Sequence, residues 1–155
     1  MKIRKMIEVK KKRWKMEYKK FGNTIIARLD VGDEVMESLK KIVESEKINL
    51  AQINGLGGTN DFTIGVRNHE TKKYDPTDYK GRYEIANIHG NVTTLNGNPY
   101  LHVHIGCGNE KGEYRGGHLI RCVIGATAEI FITTYEGTID RKVDPQTGLN
   151  VFKFD

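Results

Sequence analysis

Three histidines stand at spacings that suit a metal site. His102 and His104 are separated by one residue, and His118 follows fourteen residues after His104. Side chains of a β-strand alternate between its two faces, so His102 and His104 project from the same face, about 6–7 Å apart at the backbone. Both imidazoles can therefore reach one zinc ion at the usual zinc–nitrogen distance of about 2.0–2.1 Å.

A third imidazole joins them if the strand that starts at His118 lies beside theirs. Three nitrogens with an open position are the ligand set of catalytic or ligand-binding zinc sites. We therefore predict a metal site at His102, His104 and His118, with Zn²⁺ as the first candidate and the metal identity left open. The alternative is a hydrogen-bonded histidine cluster on a solvated sheet face. His69, beside the turn expected at 70–72, is predicted to play no part.

Three polar residues are candidates for orienting the metal-bound imidazoles or for proton transfer beside the ion: Glu84, Asn91 and Glu129. Carboxylates commonly accept the second ring N–H of a ligating histidine. Most carboxylates in strands are simply solvent-facing, which is the competing interpretation.

A glycine-rich stretch at 55–58 could in principle bind phosphate. Phosphate loops need a helix start directly after the glycines, whereas the residues from Asp61 onward have the pattern of a strand. We therefore expect a tight turn of the sheet here.

The basic residues are concentrated at the N-terminus. Residues 1–20 carry ten Lys or Arg and two Glu, a net charge of 10 − 2 = +8, and residues 21–155 carry 15 − 18 = −3. Such basic runs serve as nucleic-acid arms or as solvated segments. The candidate nucleic-acid contacts are Lys10, Lys11, Lys12, Arg13, Trp14 and Lys15. We divide the chain into a basic segment, 1–21, and a domain, 22–155.

The composition is that of a water-soluble domain. Hydrophobic residues make up 37% and charged residues 29% of 155 residues, and no apolar run approaches the ~18–20 residues of a membrane helix. Cys107 and Cys122 fit free, buried thiols in a reducing compartment, so we expect a cytoplasmic protein without a membrane partner.

The patterns predict one helix and many strands. A strand over 23–30 leads into a helix in which Val35, Leu39, Ile42 and Val43 recur at helical spacing, with Asp30 or Asp33 as its cap. The remainder alternates like strands, with a hairpin turn at Asn96-Gly97 and another at 144–148. We predict an α+β fold, a single compact domain in which one main α-helix packs on a mostly antiparallel sheet.

Residues 22–135 resemble the plants-and-prokaryotes conserved domain, the PPC domain. The resemblance rests on the histidine pair, on Gly116-Gly117-His118-Leu119 and on Thr127-Ala128-Glu129, which occur together in the family's order. A further stretch is similar to the Gly-Arg-Phe-Glu-Ile motif of the plant members, and we take it as a candidate partner-binding motif: Gly81, Arg82, Tyr83, Glu84 and Ile85.

The resemblance implies a homotrimer, with zinc held in some prokaryotic members by the histidines that correspond to His102, His104 and His118. It also implies kinship with DNA-binding proteins, although the chain lacks the Arg-Gly-Arg-Pro core of the plant AT-hook. Three functions follow: a metal-binding trimeric module that senses a small-molecule ligand or binds a partner, a DNA-associated regulator with a basic arm, and a metal-dependent enzyme.

Overall fold

The computed structural model describes residues 16–154. The candidate nucleic-acid residues, Lys10 to Lys15, lie outside this range. In the described part, eight strands and one helix follow one another as β1 (Glu17–Phe21), β2 (Thr24–Asp30), α1 (Val35–Ser45), β3 (Ala51–Arg67), β4 (Tyr74–Leu95), β5 (Asn98–Asn109), β6 (Tyr114–Thr134), β7 (Asp140–Val143) and β8 (Asn150–Lys153). Residues 17–21, which we had assigned to the basic segment, pair with β2 as the edge of the sheet.

Six strands form one antiparallel sheet in the order β1-β2-β6-β3-β4-β5, and β5 also pairs with β6. This second pairing closes β3, β4, β5 and β6 into a barrel-like unit, while β1 and β2 extend from it as a wing. β7 and β8 form a separate hairpin. The closure brings the middle of β5 against the start of β6, where the histidines lie.

The predicted α+β class is wrong. Strands account for 67% of the structure and helix for 8%, so the fold is β-rich with one small helix. The predicted helix itself is confirmed. Its four periodic apolar residues are fully buried along one face of α1: Val35, Leu39, Ile42 and Val43. Eleven residues are too short to form a helical layer against strands of up to 22 residues.

The glycine-rich stretch is not a turn. It lies within β3, at points where the register with β4 and β6 shifts. A Cβ atom at Gly57 would collide with the carbonyl oxygen of Thr127 and lie 2.8 Å from the Cα of Ala128. The glycine therefore permits a close approach of β6 to a continuous strand.

The two predicted hairpin turns are present. Asn96 and Gly97 both have positive φ, 52° and 78°, as a two-residue turn with right-handed strand twist requires, and they join β4 to β5. The second turn joins β7 to β8. In the part of the chain that the structure describes, no helix is long and apolar enough to cross a membrane.

Both cysteines are free and buried, as expected. Burial raises the pKa of the Cys107 thiol to about 12 and that of Cys122 to about 11. Both thiols are therefore protonated at neutral pH and unsuited to metal binding or nucleophilic attack.

Candidate metal centre

The pairing of β5 with β6 brings the three predicted histidines together. His104 lies directly opposite His118 in the register, and His102 precedes His104 by two residues on the same face of β5. The Nε2 atoms of His102 and His104 are 3.2 Å apart, and one ring nitrogen from each of the three residues lies within 4.8 Å of the others. The three imidazoles thus converge on one point beside a rigid hairpin.

The spacing and the chemistry of these nitrogens fit a divalent metal ion. Two imidazole nitrogens on one tetrahedral zinc are about 3.4 Å apart for bonds of about 2.05 Å. The buried Nδ1 atom of His118 has no hydrogen-bond partner in the described residues, which suits a nitrogen that accepts a metal or a ligand proton. Among residues 16–154, no other cluster of three such side chains could hold an ion.

Burial keeps two of the imidazoles neutral. His102 and His118 are half-buried, and His104 is exposed. Burial, with the neighbouring His104, His118 and Arg141 charges, lowers the pKa of His102 to about 4. Burial, followed by His104, also lowers the pKa of His118. Neutral imidazole is the form that binds metal, so at pH 7 both residues are ready to act as ligands.

Of the three predicted supporting residues, only Asn91 lies beside the histidines. It is directly opposite His102 in the register, and its Oδ1 accepts a hydrogen bond of 2.9 Å from Nη2 of Arg141. Glu84 is exposed and pairs with Gly108, four residues and about 13 Å along β5 from His104. Glu129 is exposed near the other end of β6, about 36 Å along the strand from His118.

The structure adds three residues that the sequence did not single out. Tyr74 stacks on His118, with ring centroids 4.6 Å apart and an angle of 29° between the rings. His89 lies opposite His104 in the register of β4 and β5, and directly paired residues share a face. Arg141 comes from β7, which folds back against β4. Of these three residues, only His89 could have been indicated by the sequence, because the alternation of side chains along a strand assigns it to one face.

The candidate partner-binding motif is divided between the two faces of β4. Ile85 is buried in the core, and Tyr83 packs edge-on against Phe62 with centroids 5.0 Å apart. Arg82 and Glu84 are exposed beside a shallow cavity of about 330 Å³. The buried half of the motif stabilises the fold, and only the exposed half is available to a partner.

Solved structures of similar proteins share this fold. A Bacteroides thetaiotaomicron protein whose name proposes that it binds DNA is 31% identical, with a TM-score of 0.86 over 90% of this chain and 97% of its own. A PPC protein from Pyrococcus horikoshii is 32% identical, with a TM-score of 0.77 over 90% of this chain and 94% of its own. A metal-containing protein from Archaeoglobus fulgidus is 27% identical, with a TM-score of 0.77 over 93% of this chain and 100% of its own.

No curated protein is significantly similar to the chain. The model of the Plants and Prokaryotes Conserved (PCC) domain family, also written PPC, matches residues 16–136. This range contains the whole six-stranded sheet and all three converging histidines, and the structures above reproduce its fold along nearly their full length. The chain therefore belongs to the Plants and Prokaryotes Conserved domain family.

Proposed function

We propose that this protein is a metal-binding module in which His102, His104 and His118 hold a divalent cation and leave a coordination position open to a ligand or a partner. The observation that carries the proposal is the convergence of three ring nitrogens within 4.8 Å on one hairpin. The metal content of the similar A. fulgidus protein agrees with it. Zinc is the first candidate, because it favours three imidazoles with one open position.

The surroundings favour binding over catalysis. A zinc ion with an open position can supply Lewis acidity and an acidic water. Hydrolysis also needs a group that transfers protons beside the ion, most often a histidine or a carboxylate. The cavity next to His102 and His118 is lined by described residues that include no Asp or Glu, which leaves His89, opposite His104 on β4, as the candidate for this role. We rank a sensing or partner-binding role, in a homotrimer as the family resemblance implies, ahead of a metal-dependent enzyme, because none of the described lining residues is a carboxylate.

The metal content of the purified protein, prepared without a histidine tag, tests the proposal. We expect about one zinc per chain in the wild type and a strong loss of zinc in His104→Ala, because two imidazoles rarely retain zinc against a competing chelator. His104 is exposed, so its replacement disturbs little packing. His69→Ala is the matched control, because His69 is an exposed histidine in the β3–β4 turn and should leave the metal content unchanged.

Two results would contradict the metal site: a wild type that binds no divalent metal at micromolar concentrations, or equal stoichiometry in wild type and His104→Ala. The three histidines would then form a hydrogen-bonded cluster, in which the 3.2 Å contact between His102 and His104 is an N–H···N bond.

DNA association is the second candidate, because the names of two structural neighbours propose it. The charge distribution favours the N-terminal arm for any such binding, since residues 1–20 carry +8 and the remainder −3. We expect affinity for a DNA duplex of arbitrary sequence to fall steeply between two salt concentrations in a mobility-shift measurement, because Lys and Arg displace counterions from phosphates. A variant that lacks residues 1–15 should lose this binding. Tight binding by that variant near physiological salt would place the surface on the folded domain.

A further inference from the structure

A cavity of about 600 Å³ lies between the histidines and the C-terminal hairpin formed by β7 and β8. It is lined by His102, His118 and Tyr74 and by residues 148–152 of the hairpin. Cavities of roughly 300–1,000 Å³ are typical of sites for small organic molecules. The space is thus larger than a metal ion and its water would need.

The charged side chains that line the cavity are all positive. Arg67, Lys72 and Arg141 line the cavity, and none of the residues that line it is acidic. Arg67 donates to the backbone carbonyl oxygens of Lys72, at 3.0 Å, and of Thr147. Among residues 16–154, no carboxylate forms an ion pair with any of the three cations. The lining therefore carries three cationic side chains and no carboxylate.

Arg141 is the most informative of the three, because it is 7% exposed. Its guanidinium lies 4.6 Å from the ring centroids of both Tyr100 and Phe152. It donates to Thr93 Oγ1 at 2.7 Å, to the Asn150 carbonyl at 2.7 Å and to Asn91 Oδ1 at 2.9 Å. These neutral acceptors use three of the five N–H groups of a guanidinium, so two N–H groups remain for a further acceptor.

Burying a charge is costly unless hydrogen bonds and an opposite charge compensate it, and Arg141 has the hydrogen bonds but no carboxylate partner among the described residues. We propose that this cavity binds a small organic anion, with its carboxylate or phosphate against Arg67, Lys72 and Arg141 and its apolar body between Tyr74, Tyr100 and Phe152. The inference rests in part on the proposed function, since His102 and His118 line this cavity as well as the proposed metal site. Binding of the anion can nevertheless be measured without metal.

Calorimetric titration of the full chain, both metal-free and zinc-loaded, tests the proposal with three aromatic probes. Phenyl phosphate and benzoate represent the two anion types, and benzamide is the neutral control. We expect at least one anion to bind and benzamide not to bind. Lys72→Gln and Arg67→Gln should each weaken binding about tenfold, the usual effect of losing a hydrogen bond to a charged group. Lys111→Gln is the control. It removes the same charge at an exposed position in the β5–β6 turn and should leave the affinity for the anion unchanged.

If Arg67→Gln loosens the β7–β8 turn, where Arg67 donates to the Thr147 carbonyl oxygen, Lys72→Gln still tests the proposal, because Lys72 is exposed. Equal binding of benzamide, or equal weakening by Lys111→Gln, would overturn the proposal. A zinc-loaded protein that binds neither anion would overturn it while leaving the metal site intact. Anion binding to a protein that takes up no zinc would support the cavity and refute the metal centre. Stronger binding of phenyl phosphate than of benzoate, or the reverse, identifies the anion type.

Discussion

At the scale of single residues, Asp61 illustrates how the sheet surface responds to pH. Its Oδ2 atom lies 3.0 Å from Nη2 of Arg121 and 3.6 Å from Nζ of Lys80. The hydrogen bond from Arg121 lowers the pKa of Asp61 below the ordinary value of 3.8. A carboxyl group whose pKa is lower in the folded than in the unfolded state stabilises the fold at pH values above the unfolded-state pKa. This stabilisation is lost as the pH falls through the folded-state pKa.

Asp61→Asn should therefore reduce the free energy of unfolding at pH 7, by at most about 1 kcal/mol for a partly exposed ion pair. The wild type and the variant should converge at an acid pH below the lowered pKa of Asp61, where its carboxylate is protonated. Urea denaturation at the two pH values measures the difference. A loss of equal size at both values would show that packing, and not charge, is responsible.

At the scale of elements, the buried side chain of Glu34 joins α1 to the sheet. Its Oε2 accepts the Glu37 N–H at 2.7 Å in the first turn of the helix, and its Oε1 accepts the Cys122 N–H at 2.8 Å in β6. The sequence had indicated Asp30 or Asp33 as the cap, but Glu34 is the N-cap residue, and Asp33 instead accepts the backbone N–H of Asp30. One carboxylate thus both begins the helix and fixes it on the sheet.

Glu34→Ala should lower the free energy of unfolding by about 2–4 kcal/mol, because it leaves a buried N–H without an acceptor and removes the helix cap. Glu34→Gln retains one acceptor oxygen and should lose about half as much. Glu44→Ala, which removes an exposed i,i+4 pair with Lys40, should change stability by at most ~0.5 kcal/mol. Denaturation of all variants at one protein concentration gives the comparison. Equal stability of Glu34→Ala and Glu44→Ala would contradict the anchoring role.

At the scale of the whole molecule, apolar side chains remain exposed on the sheet. Those more than 40% exposed on strands of the large sheet are Phe21, Leu56, Val66, Tyr114, Ile120 and Phe131. The small helix packs mainly against β6 and cannot cover them. Symmetric self-association is the common way to bury such surface.

We therefore expect a homotrimer, the state that the family resemblance implies. Light scattering coupled to size exclusion should give three times the chain mass at micromolar concentrations. Adding a chelator should leave this mass unchanged, because the histidines of one chain suffice for the proposed site. A mass equal to one chain would remove the prediction.

Local patterns determined much of this protein. A period of two placed His102 and His104 on one face, an Asn-Gly pair fixed the β4–β5 hairpin, and helical spacing located α1. The ordered motifs identified the family, and the two cysteines were expected to be free and buried. The first three properties are encoded by residues a few positions apart, and the family by several short motifs in a fixed order, so these can be recognised without the fold.

Only the tertiary structure decided the rest, because it depends on contacts between distant residues. The glycines of β3 allow a close approach of β6, some 70 residues later, and so do not form a turn. Glu34 reaches Cys122 across 88 positions, and Arg141 reaches Asn91 across 50. Side-chain contacts at such separations leave no periodic signal, so the cavity beside the histidines, and its uncompensated positive charge, become visible only when the C-terminal hairpin folds against β4 and β5.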